Sequence, residues 1–304
     1  MQKVWNLPRV DYLSLSEHVD PRLVVLVYSD QAWGAVEPHL TLDIACRLPV
    51  EEATLTAWER MAAEADGQVV YAVGGGLAAD AAKLIATRRE LPLIVIPTAI
   101  SVDAPFTWAS GYREHGAVRY LETRVPDRLL VDLDVISRAP DAVRAAGITD
   151  VLSIATGAWD WRFADEQGRN PAAMPYLPWA DRIAMEILDL ALDAAEEAGR
   201  GRPDALRTLL DTLALEVQLC NQLGHSRPEE GSEHYFAYAV ENHLGKGLPH
   251  GDLVGPGIVV MAALQGQPVD RLVAALRACH VPLDRIPRDV IRTTLRELPD
   301  YCAR

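Results

Sequence analysis

The stretch VVYAVGGGLAADAAK, residues 69–83, runs from an uninterrupted apolar segment through three glycines into an alanine-rich segment with no turn residue inside it. Its first part reads as a buried strand and its last part as a helix. Glycines at such a junction let the backbone come close to a ligand, and the exposed N–H groups and positive dipole end of the helix suit a pyrophosphate. A tight strand–helix bend that needs the glycines only for turning is the competing reading. The stretch fits neither GxGxxG nor the GK[ST] ending of a P-loop.

The same pattern continues on both sides. RLVVLVYS (22–29), LPLIVIP (91–97) and RLLVDL (128–133) read as further buried strands. EEATLTAWERMAAEA (51–65) and LAADAAKLIATRRE (77–90) carry helical spacing of apolar residues. Strand and helix in alternation predict a parallel sheet covered on both faces. After about residue 140 only helical segments follow, around 177–199, 204–222, 232–244, 254–265 and 268–280, separated by breaks such as GRGRP (199–203) and GKGLPHG (245–251). The expectation is an α/β domain over residues 1–140 and an all-α domain over residues 141–304.

Composition narrows the function classes. The chain has 304 residues, 49% of them hydrophobic, enough for substantial cores. A net charge of -14 argues against broad affinity for nucleic acid or an anionic membrane. Four scattered cysteines, Cys46, Cys220, Cys279 and Cys302, form no CxxC pair and fit a reduced, cytoplasmic setting. The opening MQKVWNLPRVDYLSL lacks the apolar run of a signal peptide, and no segment has the roughly 18–20 apolar residues of a membrane span.

Three further segments could carry chemistry. IVIPTAISVDAP (94–105) leaves a strand and presents Thr98, Ser101 and Asp103 where strand ends of a parallel sheet bind ligands, although the same residue types also close turns. AAGITDVLSIATGAWDW (145–161) places Asp150, and more weakly Asp160, in apolar surroundings, where a carboxylate needs compensating partners or serves as a helix N-cap. SRPEEGSEHYFAYAVENHLGKGLPHGD (226–252) holds His234, with Tyr238 at i+4 on the same face, and His250 at the start of the next element. One carboxylate and two imidazoles form a common set around a divalent metal, and Asp150, His234 and His250 supply one. His243, nine residues after His234, points to nearly the opposite face and reads as surface.

Together these pieces resemble the metal-dependent (iron-containing) alcohol dehydrogenase superfamily, which includes glycerol dehydrogenase, sn-glycerol-1-phosphate dehydrogenase and dehydroquinate synthase. GGGLAADAAK is similar to its cofactor turn, PTAISVDAP to its P-T-x-x-S-x-D loop, AAGITDVLS to the segment with the carboxylate ligand, and HGDLVGPG to the segment with the last histidine. SRPEEGSEH and ATGAWDW look most like the glycerol-1-phosphate dehydrogenase branch, and DAP (103–105) and VRYLE (118–122) like glycerol dehydrogenase. The resemblance implies a dehydroquinate synthase-like fold with a Rossmann-like first domain. It implies Asp150, His234 and His250 as metal and catalytic residues, and Gly74, Gly75, Gly76, Asp80, Thr98, Ser101 and Thr107 as contacts of NAD or NADP. Asp103 would hold a substrate hydroxyl. Tyr238 stands where the family has a substrate-contacting histidine, and it cannot carry imidazolium charge toward a phosphate. Arg119 is a candidate phosphate partner, and Asp30, after the first strand, a candidate for the adenosine ribose. The chain is short after HGDLVG.

The activity implied is an NAD(P)-dependent oxidoreductase of a small polyol or polyol phosphate. Zinc is the expected metal, and iron, nickel and manganese suit the same donors. A homo-oligomer, dimer or higher, is expected. The alternatives are a lyase or cyclase of the dehydroquinate synthase kind and a catalytically silent nucleotide-binding relative.

Overall fold

The computed structural model describes residues 4–114, 117–245 and 248–302. The break expected at 245–251 falls partly on residues 246–247, which lie outside the described residues. The chain divides into two compact units, residues 5–140 and residues 141–304, the latter with the first residues of the chain.

In the first unit the elements are β1 (Arg9–Tyr12), β2 (Asp20–Tyr28), α1 (Asp30–Val36), β3 (Leu42–Pro49), α2 (Leu55–Glu64), β4 (Val69–Gly74), α3 (Gly76–Arg89), β5 (Leu93–Pro97), β6 (Ala109–Glu114), β7 (Ala117–Glu122), β8 (Arg128–Val131) and α4 (Leu133–Ser137). Six strands form one parallel sheet in the order β1-β8-β5-β4-β2-β3. The strands with unbroken apolar runs take its centre: every residue of β4 and β5 is buried. The edge strands β1 and β3 lie partly open to solvent, with no fully buried residue in β1 and only Leu48 buried in β3. β6 and β7 form a separate antiparallel hairpin.

Strand order reverses between β2 and β4. From β2 the chain moves outward to β3, and from β4 it moves the other way through β5 to β8. Ligands of open α/β sheets bind at the carboxyl ends of the strands flanking such a reversal. Here those ends are Tyr28–Ser29 and the glycine run.

One buried network ties β2 to β4. Tyr71 donates its hydroxyl to Asp20 Oδ2 at 2.7 Å, so the His18 Nε2 that lies 2.7 Å from the same hydroxyl is the donor to it. Arg22 meets both Asp20 oxygens, at 2.8 and 2.6 Å. Arg22, against burial and with help from Tyr71, holds the Asp20 carboxyl far below its ordinary range.

Only helices occur among the described residues after 140: α5 (Asp141–Arg144), α6 (Ile148–Leu152), α7 (Ile154–Glu166), α8 (Pro178–Gly199), α9 (Pro203–Leu223), α10 (Ser232–Leu244), α11 (His250–Leu264), α12 (Asp270–Ala278) and α13 (Arg288–Cys302). Proline opens α8 and α9 where a missing N–H costs nothing, and Gly224 in the left-handed region ends α9. The first turn of α10 is seated by close approaches. A Cβ on Gly157 of α7 would lie 2.9 Å from the Glu229 carbonyl carbon, and one on Gly257 of α11 would lie 2.8 Å from the Glu233 carbonyl oxygen. No helix among the described residues is long and apolar enough to cross a membrane.

Candidate functional site

In the first unit, the glycine run and the P-T loop meet at the carboxyl edge of the sheet, where Gly74 pairs with Pro97. Gly74 has φ +145, a conformation that disfavours any side chain. A Cβ on Gly75 would lie 2.7 Å from Ser101 Oγ, so the two loops are in direct contact. Gly75 is also the N-cap of α3 and offers no side-chain acceptor, which leaves the first-turn N–H groups of the helix for an anion. Thr98, Ser101 and Asp103 lie on the loop after β5, all half-buried. Asp30 is exposed at the first position of α1, directly after β2.

The sequence did not disclose what Lys83 does. Its side chain is wholly buried and pairs with Asp80 Oδ1 at 2.8 Å. It also donates to the carbonyls of Ala104 and Thr107, to Thr107 Oγ1 and to the Ala109 carbonyl. Asp80 accepts from the Gly111 N–H through its other oxygen. The carboxylate of Asp80 and the hydroxyl of Thr107, both expected at the cofactor, are thus engaged in fastening the 104–111 segment to α3. Arg119, expected in a loop, is instead an exposed residue of β7 opposite Tyr112.

In the second unit, three helices bring together Asp150, His234 and His250. Asp150 lies in the first turn of α6, whose N-cap is Gly147, so it is not the cap that the sequence left open. His234 is in the first turn of α10, and His250 opens α11. One ligand atom from each residue lies within 4.8 Å of the other two. His250 Nε2 and Asp150 Oδ1 are 3.0 Å apart, and the two imidazole centroids 5.3 Å apart. A tetrahedral ion with bonds of about 2.1 Å holds its donors roughly 3.4 Å apart, so small rotations close the set around one.

A residue the sequence reading passed over completes this arrangement. Glu233, with no exposed surface, accepts from His234 Nδ1 at 2.9 Å and from the Gly231 N–H at 2.6 Å, and its second oxygen accepts from Thr156 Oγ1 at 2.6 Å. In the neutral ring, holding Nδ1–H leaves Nε2 as the nitrogen with a lone pair, the usual carboxylate support of a metal-bound histidine. Burial opposes charge on His234, but the Glu233 hydrogen bond and the fields of Glu230, Glu233 and Glu229 outweigh it and raise its pKa to about 10. The signal was present in PEEGSEH, where three carboxylates precede the histidine.

The remaining residues of the segment separate by role. The Tyr238 hydroxyl donates to Glu230 Oε1 at 2.9 Å, with its ring centroid 6.0 Å from that of His234. Asp160 accepts from the Ser232 N–H at 2.8 Å and from Gln265 at 2.9 Å, and so fastens α7 to the starts and ends of its neighbours. Burial pushes its carboxyl above the ordinary value. His243 lies away from the cluster and pairs with Glu297 of α13 at 3.2 Å.

Residues 22–140 match the family described as iron-containing alcohol dehydrogenase. A glycerol-1-phosphate dehydrogenase [NAD(P)+] of Methanothrix thermoacetophila is 30% identical over 229 residues, covering 74% of this chain and 63% of that protein. One from Bacillus subtilis is 32% identical over 197 residues, 64% of this chain and 49% of that protein. The chain thus spans about half to two-thirds of the length of these relatives. A probable glycerol dehydrogenase from Sinorhizobium meliloti shares the fold over 99% of this chain and 91% of its own, with a TM-score of 0.76 at 20% identity. The 2-epi-5-epi-valiolone synthase ValA of Streptomyces hygroscopicus, solved with NAD+ and Zn2+, shares it with a TM-score of 0.68 at 18% identity over 97% and 87% of the two chains. The glycine turn and these matches lead to one conclusion: residues 22–140 belong with the iron-containing alcohol dehydrogenase family, and about three-quarters of the chain is similar to glycerol-1-phosphate dehydrogenases.

Proposed function

We propose that this protein is an NAD(P)-dependent, divalent-metal-dependent dehydrogenase that interconverts a small polyol or polyol phosphate, such as glycerol 1-phosphate, and its ketone, such as dihydroxyacetone phosphate. The convergence of Asp150, His234 and His250 carries the reading. A catalytically silent relative has no need of that set, and the relatives matched in sequence are named dehydrogenases rather than cyclases.

When bound, the metal would polarise the substrate oxygen and the nicotinamide would carry the hydride. The chain's own part is positioning. Asp150 and His250 supply donors from two helix starts, and Glu233 keeps His234 in the tautomer that offers Nε2. The glycine run and the uncapped α3 start would hold the dinucleotide pyrophosphate, with Thr98 and Ser101 beside it, Thr107 supporting the loop through Lys83, and Asp103 toward a substrate hydroxyl. Zinc is the proposed ion, and the same donors accept iron, nickel or manganese. A cytoplasmic homo-oligomer that does not bind nucleic acid completes the reading, in keeping with the net charge of -14.

The test is metal analysis of the native protein with a cofactor-coupled assay on glycerol, glycerol 1-phosphate and dihydroxyacetone phosphate. Asp150→Asn and His250→Ala should each abolish metal retention and turnover while the circular dichroism spectrum is kept. Full activity in either variant would sink the metal assignment.

A further inference from the structure

The charge of the substrate is open in the reading above, and the surroundings of the metal-ligand cluster bear on it. Glu230 is half-buried, with one oxygen accepting from Tyr238 at 2.9 Å and the other from Ser226 Oγ at 2.9 Å. Both partners are neutral hydroxyls, and no Lys or Arg among the described residues pairs with this carboxylate. Glu233 is likewise held by a backbone N–H, a hydroxyl and an imidazole, with no Lys or Arg pairing to it among the described residues. Arg227, the guanidinium of the same loop, turns elsewhere, to the Asp160 carbonyl at 3.5 Å and Asn170 Oδ1 at 3.3 Å. Glu230 lies beside the cluster, since the ring of Tyr238, whose hydroxyl it holds, has its centroid 6.0 Å from that of His234.

We propose that Glu230, fixed by Tyr238 and Ser226, is a specificity-determining residue that turns phosphorylated substrates away and selects an uncharged hydroxyl compound at the Asp150–His234–His250 cluster. The proposal rests on the dehydrogenase reading and sharpens it. Asp150, Glu230 and Glu233 bring three negative charges, of which a divalent ion offsets two. A neutral polyol meets this residual charge at no electrostatic cost, whereas a phosphate dianion is repelled. At a separation of about 8 Å and an effective dielectric of ~20, one fixed charge changes the affinity of a unit anion by more than tenfold before screening. Salt reduces the effect at this half-exposed position.

The experiment compares kcat/KM for glycerol and glycerol 1-phosphate in the metal-loaded enzyme, as wild type, Glu230→Gln and Tyr238→Phe. Glu230→Gln removes the charge and keeps a partner for both hydroxyls, its carbonyl accepting from one and its amide N–H donating to the oxygen of the other. Expected are a wild-type preference of at least about tenfold for glycerol and a shift of roughly tenfold toward the phosphate in Glu230→Gln, shrinking at high salt. Tyr238→Phe, which frees the carboxylate without removing its charge, should shift the ratio less. A wild-type preference for glycerol 1-phosphate, or an unchanged ratio in Glu230→Gln, overturns the proposal. If neither compound is turned over, the dehydrogenase reading fails by itself. Calorimetric titration of the metal-loaded proteins with glycerol 1-phosphate then still decides: tighter binding to Glu230→Gln upholds the charge filter, and equal binding rejects it.

Discussion

Glu233 shows how one buried carboxylate can serve two ends. It satisfies the Gly231 N–H at the start of α10, and it fixes the ring of His234. Replacing it with glutamine keeps the volume and removes the charge that stabilises Nδ1–H. The expected outcome for Glu233→Gln is a loss of metal affinity of about 10- to 100-fold, read by competition with a chromophoric chelator. Affinity equal to wild type would mean that the carboxylate only caps the helix. The three members of the cluster were legible as candidates because imidazole and carboxylate in apolar context imply a purpose. Glu233 was not, because a glutamate at a helix start has an ordinary explanation in the helix dipole.

At the scale of elements, the sequence disclosed what is buried on both sides. β2, β4 and β5 are continuous apolar runs and were read within a few residues of their ends. β1, β3 and the β6–β7 hairpin were missed, since RVDY, LDIACRLP and ASGYRE mix charge with short apolar alternation and depend on their neighbours for order. The network joining β2 and β4 is equally invisible to periodicity, because Asp20, Tyr71 and His18 are far apart in the chain. It has a measurable consequence. The folded-state pKa of Asp20 lies below its unfolded value, so its contribution is fully present above about pH 4 and fades as pH falls toward the folded-state value. Asp20→Asn should therefore cost about 2 kcal/mol at neutral pH. In urea melts the gap between variant and wild type should narrow at pH 3; a gap independent of pH would show that Asp20 contributes through packing alone.

At the scale of the molecule, the chain forms two compact units, one with the glycine turn and the other with the Asp150–His234–His250 cluster. That a parallel sheet with its helices is followed by helices alone was readable from the point where strand patterns stop. The two ligand sets therefore predict separable responses. A ligand that binds only the native state stabilises it by about 2.7 kcal/mol at a hundred times its Kd. Chelation of the metal should raise amide hydrogen exchange in α6 and the first turns of α10 and α11 while leaving β4 and α3 unchanged. Addition of NAD should protect the α3 start and the loop after β5. Uniform change across both units on chelation would contradict an ion held by Asp150, His234 and His250.

Lys83 has a bearing on how such proteins could be recombined. One ammonium fastens α3 to four acceptors spread over residues 104–109, and Asp80 adds a fifth tie at Gly111. Helix and loop are thus a single inheritable cassette: a loop transplanted here from another dehydrogenase without its matching helix would strand a buried cation, whereas residues 74–111 moved as one block would carry their own counter-charges with them.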